Sequence, residues 1–137
     1  MMKLRIYSDG ACRGNPGPSA IAFLISNHEG RILKEYSENI GIGTNNQAEY
    51  KALISALKSA TDFGNEAVCY LDSVLVVKQM NREWRVEHPN MKPLWREAVA
   101  LKESFRKISF VHVPRTNRYI GIIDQLANRE LDKTPSL

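Results

Sequence analysis

The chain has 137 residues, 43% of them hydrophobic, which suffices for one packed core and falls short of two ordinary domains. No apolar run approaches the roughly 20 residues that span a bilayer, and Cys12 and Cys69, which lack CxxC spacing, suit neither a disulfide framework nor a structural zinc site. Nineteen Lys and Arg against fifteen Asp and Glu give a net charge of +4, which favours a polyanionic partner through counterion release but equally fits a solubilising surface.

From the N-terminus, Lys3 to Asp9 alternates with period two and stops at Gly10, predicting a strand with Asp9 at its exit. Met1 to Ile6 carries two positive charges but no apolar stretch of the kind a secretory signal needs, so a cytoplasmic location is expected. Gly10 to Pro18, with three glycines and two prolines, predicts a loop. Strands follow at Ser19 to Ser26 and Arg31 to Glu38, joined across His28-Glu29-Gly30 as an antiparallel hairpin. From Asn46 to Phe63 the spacing becomes helical, with Leu53, Ala56, Leu57 and Ala60 on one stripe and Gly64 as the stop. Glu66 to Leu71 predicts a strand. Ser73 to Met80 carries both valine-rich strand character and a capping serine, and is read as a short helix. Met91, Leu94, Trp95, Ala98, Leu101 and Phe105 predict a second long helix, Ile108 to Val113 a strand, Pro114 to Arg118 a polar loop and Gly121 to Leu131 a last helix. The resulting order, β-β-β-α-β-α-α-β-α, predicts an α/β fold with a mixed sheet and helices packed on it.

Four acids stand where a core would be expected. Glu49 lies on the stripe of Leu53, Ala56 and Leu57, and Asp124 shares a face with Ala127 and Leu131. Asp9 and Asp72 each end a predicted strand, at the sheet edge where open α/β folds bind ligands. Singly, each acid has an ordinary explanation: a turn residue, a helix cap, or a partner of Lys51 or Arg129 at a helix rim. That account needs four coincidences at one edge, and it leaves the glycine loop and the Thr-Asn-Asn-Gln run beside Glu49 unexplained. Four converging carboxylates repel one another unless cations neutralise them, and an all-oxygen set without His or Cys suits Mg²⁺ or Mn²⁺ rather than zinc. Two such ions in one site serve phosphodiester hydrolysis.

These residues carry a family resemblance. Tyr-Ser-Asp-Gly-Ala-Cys-Arg-Gly-Asn-Pro-Gly-Pro at 7 to 18 resembles the opening segment of type 1 ribonuclease H, and Thr-Asn-Asn-Gln-Ala-Glu-Tyr at 44 to 50 resembles its first-helix motif. Leu-Asp-Ser at 71 to 73, and Val-Pro-Arg followed by Asp124-Gln-Leu-Ala-Asn, extend the likeness across nearly the whole chain in the right order. The resemblance implies a five-stranded ribonuclease H-like domain over 1–132 with a short tail over 133–137. It implies that Asp9, Glu49, Asp72 and Asp124 are catalytic and hold two Mg²⁺ or Mn²⁺ ions. It further implies endonucleolytic cleavage of the RNA strand of an RNA/DNA hybrid, leaving 5′-phosphate and 3′-hydroxyl ends, by a monomer without an obligate protein partner. Gly10, Ala11, Cys12, Arg13, Gly14, Asn15, Asn45, Asn46 and Gln47 would contact the minor groove of the hybrid, where the 2′-OH distinguishes RNA from DNA. Thr44 would contact a DNA-strand phosphate, with Ser73 and Trp84 lining that strand's channel.

Three departures from the family pattern bear on binding. Asn81 to Leu94 lacks the lysine-rich protrusion of some members, and residue 74 is Val where some carry a Gln. The stretch from Pro114 to Asp124 is slightly longer than usual and contains no histidine, so Arg115 or Arg118 would take over by electrostatics the role of a mobile His in product release. His28, His88 and His112 share no metal-binding spacing, and the first loop lacks the Gly-Lys-Ser/Thr ending of a phosphate-binding P-loop. Lys78, Arg82, Arg85 and Lys92 surround Trp84, which suits a nucleic-acid backbone and a solvated face about equally. Two other readings stay open: another metal nuclease on the same fold, and a catalytically weak hybrid-binding module.

Overall fold

Over residues 3–133, which the computed structural model describes, the chain runs through β1 (Lys3–Cys12), β2 (Gly17–Asn27), β3 (Ile32–Gly43), α1 (Asn45–Ala60), β4 (Glu66–Leu71), α2 (Val74–Met80), α3 (Lys92–Lys102), β5 (Lys107–His112) and α4 (Arg118–Asp132). The order matches the expectation, and the ambiguous segment before Met80 is helical, started by the Ser73 hydroxyl accepting from Val76 N–H. Of the expected tail, 134–137 lies outside the described residues. No described helix is long and apolar enough to cross a membrane.

The five strands form one sheet in the order β3-β2-β1-β4-β5. The β1–β2 and β2–β3 pairs are antiparallel, while β4 lies parallel to β1 and β5 parallel to β4. β1 is therefore the seam between a hairpin half and a crossover half. The alternating side chains of β1 and β2 feed two cores, as strand pleating requires. Leu4, Ile6, Phe23 and Ile25 pack under Leu53, Ala56 and Leu57 of α1, and the other face sets Tyr7, Ala20, Ala22 and Leu24 against Ile120, Ile123, Ala127 and Leu131 of α4. Covered on both sides, β2 reads as a continuous apolar run from Ala20 to Ile25, whereas β1 keeps polar residues at Arg5, Ser8 and Asp9.

Element ends differ from the sequence reading, each for a tertiary reason. The loop expected over Gly10 to Pro18 shrinks to 13–16, because β1 stays extended to Cys12 in register with Ser19, with Gly10 opposite Ile21. β3 continues past Glu38 to Gly43 because Gly17 and Pro18 of β2 offer it partners. α4 begins at Arg118 rather than Gly121, since the Asn117 side chain accepts from Tyr119 and Ile120 N–H and caps it. α1 and α3 stop at Ala60 and Lys102, short of Phe63 and Phe105, although Phe105 stays buried in the following turn.

Candidate active site

Asp9 lies inside β1 rather than at its end, but the parallel pairing of β1 with β4 closes at Tyr7 and Tyr70, so Asp9 stands just past the point where its neighbour strand ends. Asp72 follows β4 immediately. Glu49 arrives from the first turns of α1, and this approach requires Gly10: a Cβ there would lie 2.3 Å from the Ala48 carbonyl carbon. The same closeness lets Gly10 N–H donate to Glu49 Oε1 at 3.0 Å. One oxygen each from Asp9, Glu49 and Asp72 lies within 4.8 Å of the other two. Asp124 stands beside this trio on α4, and Arg115 joins them, with Nε 3.4 Å from Asp72 Oδ2 and Nη2 3.8 Å from Asp124 Oδ1.

Asp9 and Glu49 are only 1% and 4% exposed, and Asp9 Oδ1, Asp9 Oδ2 and Glu49 Oε2 are buried without a hydrogen-bond donor. Burial, followed by the charges of Glu49 and Asp72, holds the Asp9 carboxyl far above its ordinary range. Burial likewise raises Glu49, against the opposing influence of the adjacent Asp9 carboxyl, the Gly10 N–H and the Arg115 charge. Buried acceptor oxygens that no protein donor satisfies are costly in themselves. A hard divalent cation is the partner this set fits: every donor atom is oxygen, one oxygen from each of three carboxylates converges, and both Asp9 oxygens and one of Glu49 are buried without a donor.

The remaining candidates separate into those at a groove and those engaged elsewhere. Asn15, Thr44 and Asn46 line one groove of about 460 Å³ together with Gln79 and Arg85. Asn45 N–H donates to Asn15 Oδ1 at 3.0 Å, fastening the first loop to the start of α1, and Gly14 turns that loop with φ +85°. Thr44 and Gln47 also close a capping box on α1, so the Gln47 side-chain oxygen is spent on Thr44 N–H. That motif, Thr-x-x-Gln, was readable from the sequence as a helix start. Ser73 is the α2 cap, and half-exposed Trp84 borders a second groove of about 500 Å³ with Arg82, Arg85, Lys92 and Arg96.

Ala11 is half-buried opposite Ala20, and the Cys12 thiol lies against the carbonyls of Gly14, Gly17 and Gly43, the last at 3.2 Å. Arg13 pairs with Asp132 and reaches Asn128 O, which fastens the loop to the end of α4. Arg118 stacks on the Tyr119 ring at 5.7 Å. Tyr50 and Gln79, unmarked in the sequence reading, are bonded to each other in the core at 2.6 Å.

Comparison with known proteins matches residues 7–129 to the family model described as Reverse transcriptase-like. Ribonuclease HI of Halobacterium salinarum is 41% identical over 131 residues, covering 95% of this chain and 65% of that protein. A bifunctional protein of Mycobacterium tuberculosis is 42% identical over 134 residues, covering 96% of this chain and 36% of that protein. The chain thus spans about a third of the mycobacterial relative and just under two thirds of the halobacterial one. Among solved structures, RNase H1 of H. salinarum superposes with a TM-score of 0.92 at 40% identity, covering 96% of this chain and 99% of that one. LC11-RNase H1 in complex with RNA/DNA hybrid superposes with a TM-score of 0.89 at 38% identity, covering 95% and 97%.

Proposed function

The chain belongs to the type 1 ribonuclease H family, and on that premise we propose that it hydrolyses the RNA strand of RNA/DNA hybrids endonucleolytically, leaving 5′-phosphate and 3′-hydroxyl ends. The observation that carries this reading is the trio of Asp9, Glu49 and Asp72, with three buried carboxylate oxygens lacking donors, beside a groove walled by Asn15, Thr44 and Asn46. Asp9, Glu49, Asp72 and Asp124 would hold two Mg²⁺ or Mn²⁺ ions, which when bound supply positive charge at the scissile phosphate and lower the pKa of the attacking water.

The protein's own groups prepare that site. Gly10 N–H fixes one Glu49 oxygen and leaves the other directed into the cluster. The capping box holds the start of α1, and with it Glu49, at a constant depth. Backbone and amide groups at Gly14, Asn15, Asn45 and Asn46 read the minor groove and the 2′-OH, so the hydroxyl serves recognition and DNA is spared; Gly10, buried with its N–H on Glu49, serves the site from beneath instead. Thr44, Ser73 and Trp84 receive the DNA strand. Arg115, tethered to Asp72 and Asp124 yet largely exposed, would draw a cleaved phosphate away, with Arg118 three residues later at the start of α4.

Incubating a labelled RNA/DNA duplex with the protein in Mg²⁺, Mn²⁺ or EDTA tests the proposal. Cleavage of the RNA strand in either metal and none in EDTA is expected, with the all-DNA duplex left intact. Binding of the hybrid with no cleavage in any metal would replace this reading with that of a hybrid-binding module.

A further inference from the structure

Gln79 is an amide in a place built for an apolar side chain. It sits near the end of α2 at 6% exposure, between core residues Val76, Val77 and Met80. Its side-chain oxygen accepts from Tyr50 OH at 2.6 Å, which ties α2 to α1 one residue beyond Glu49. Its side-chain nitrogen donates to the Arg85 carbonyl at 3.5 Å. Its backbone carbonyl accepts from the Trp95 indole N–H at 3.3 Å and from Arg82 N–H at 3.1 Å. One residue therefore gathers α1, α3 and the chain between α2 and α3.

That intervening chain has no helix or strand of its own, turns through Arg82 at φ 60°, and exposes Trp84 and Arg85. Gln79 and Arg85 together border both grooves, the one with Asn15, Thr44 and Asn46 and the one with Trp84, Lys92 and Arg96. An apolar residue would fill the space under α2 equally well, but it would not hold this wall. A buried amide satisfied on both sides specifies geometry in a way packing does not.

We infer that Gln79 is a positioning residue, whose amide holds the Trp84–Arg85 wall in fixed register with the helix that carries Glu49, so that both strands of a hybrid engage at once. The inference rests on the hybrid-cleaving reading above. Gln79→Met keeps the volume and removes both side-chain bonds, and Tyr50→Phe deletes one oxygen and removes the first bond from the other partner.

The tests are kcat and KM in Mg²⁺ for a short hybrid, and the affinity for the same fluorescein-labelled hybrid in Ca²⁺. Each variant should raise KM and weaken binding about fivefold, close to 1 kcal/mol and the net worth of one hydrogen bond, with kcat within about twofold of wild type. In a Trp84→Ala, Arg85→Ala background the same substitutions should add no further loss, because residues acting through one another are non-additive. Unchanged KM and affinity in both variants, even with a lowered Tm, would overturn the inference, as would an equal loss in the background lacking the wall. Wild-type protein that neither binds nor cuts the hybrid would overturn the functional reading with it, and this control is read before any variant.

Discussion

Asp9→Asn should make the metal-free protein more stable while abolishing cleavage. The native Asp9 carboxyl keeps its proton well above the pH at which the unfolded chain releases it, because burial and then the Glu49 and Asp72 charges disfavour ionisation. Between the unfolded pKa, about 3.9, and the raised native value, the folded state binds more protons at Asp9 than the unfolded one, so the contribution of this carboxyl to stability is fully present below about pH 4 and falls as pH rises through that window. A carboxyl still protonated at pH 7 costs up to about 4 kcal/mol, roughly three pKa units at about 1.4 kcal/mol each. Coupling with Glu49 shares this cost, yet a quarter of it still moves Tm by about 3 °C in a domain of this size. Asparagine is isosteric and neutral, so it removes the penalty without opening a cavity. Thermal melts in EDTA from pH 5 to 8 should show wild type declining more steeply than Asp9→Asn, with the gap closing when Mg²⁺ is added to wild type. Parallel melting curves in EDTA, or an asparagine variant no more stable at pH 8 than at pH 5 relative to wild type, would refute the reasoning.

Gly10→Ala should both destabilise the fold and silence the site, because the new methyl would meet the Ala48 backbone at 2.3 Å; a lowered urea midpoint, equivalent to about 3 kcal/mol or more, is the check. Arg115→Ala should leave Tm in Mg²⁺ within about 3 °C, since an ion pair of a residue this exposed contributes at most about 1 kcal/mol, yet lower steady-state turnover about tenfold; an unaffected single-turnover rate would place that loss in product release. Thr44→Ala removes the α1 cap and should cost about 1 kcal/mol in urea unfolding, with hybrid affinity reduced as the groove wall loosens.

Periodicity exposed the element order because each helix and strand buries one regular stripe, as in Leu53, Ala56 and Leu57 of α1. Strand ends stayed hidden because pairing partners decide them: nothing local in Gly10-Ala11-Cys12 says that Ile21, Ala20 and Ser19 will lie opposite. The acids at 9, 49 and 72 were legible as charges on buried stripes and strand exits. The pairing of Arg13 with Asp132 was not, since the two are 119 residues apart and no spacing rule connects them, and the sequence offered Arg13 only as a groove contact. Gln79 escaped for the same reason, its bond to Tyr50 spanning 29 residues and leaving only a polar residue in a valine-rich helix as a trace.

The seam position of β1 explains how acids from two layers reach one point. Glu49 belongs to the helix on one face of the sheet and Asp124 to the helix on the other, and between them a paired strand would ordinarily stand. β4 ends at Leu71, so the sheet stops on that side of Asp9, while β2 continues to cover its other edge. The gap lets carboxylates from both faces approach around the end of a strand rather than through the sheet. Burial on β1 keeps the backbone rigid, and it also removes water from Asp9, so the rigidity of the site and the electrostatic cost of the site have one structural origin. Loosening β1 to relieve the acids would surrender the geometry that a cation requires, which leaves neutralisation as the resolution compatible with the fold, by a retained proton in the metal-free protein and by bound charge when a cation is present.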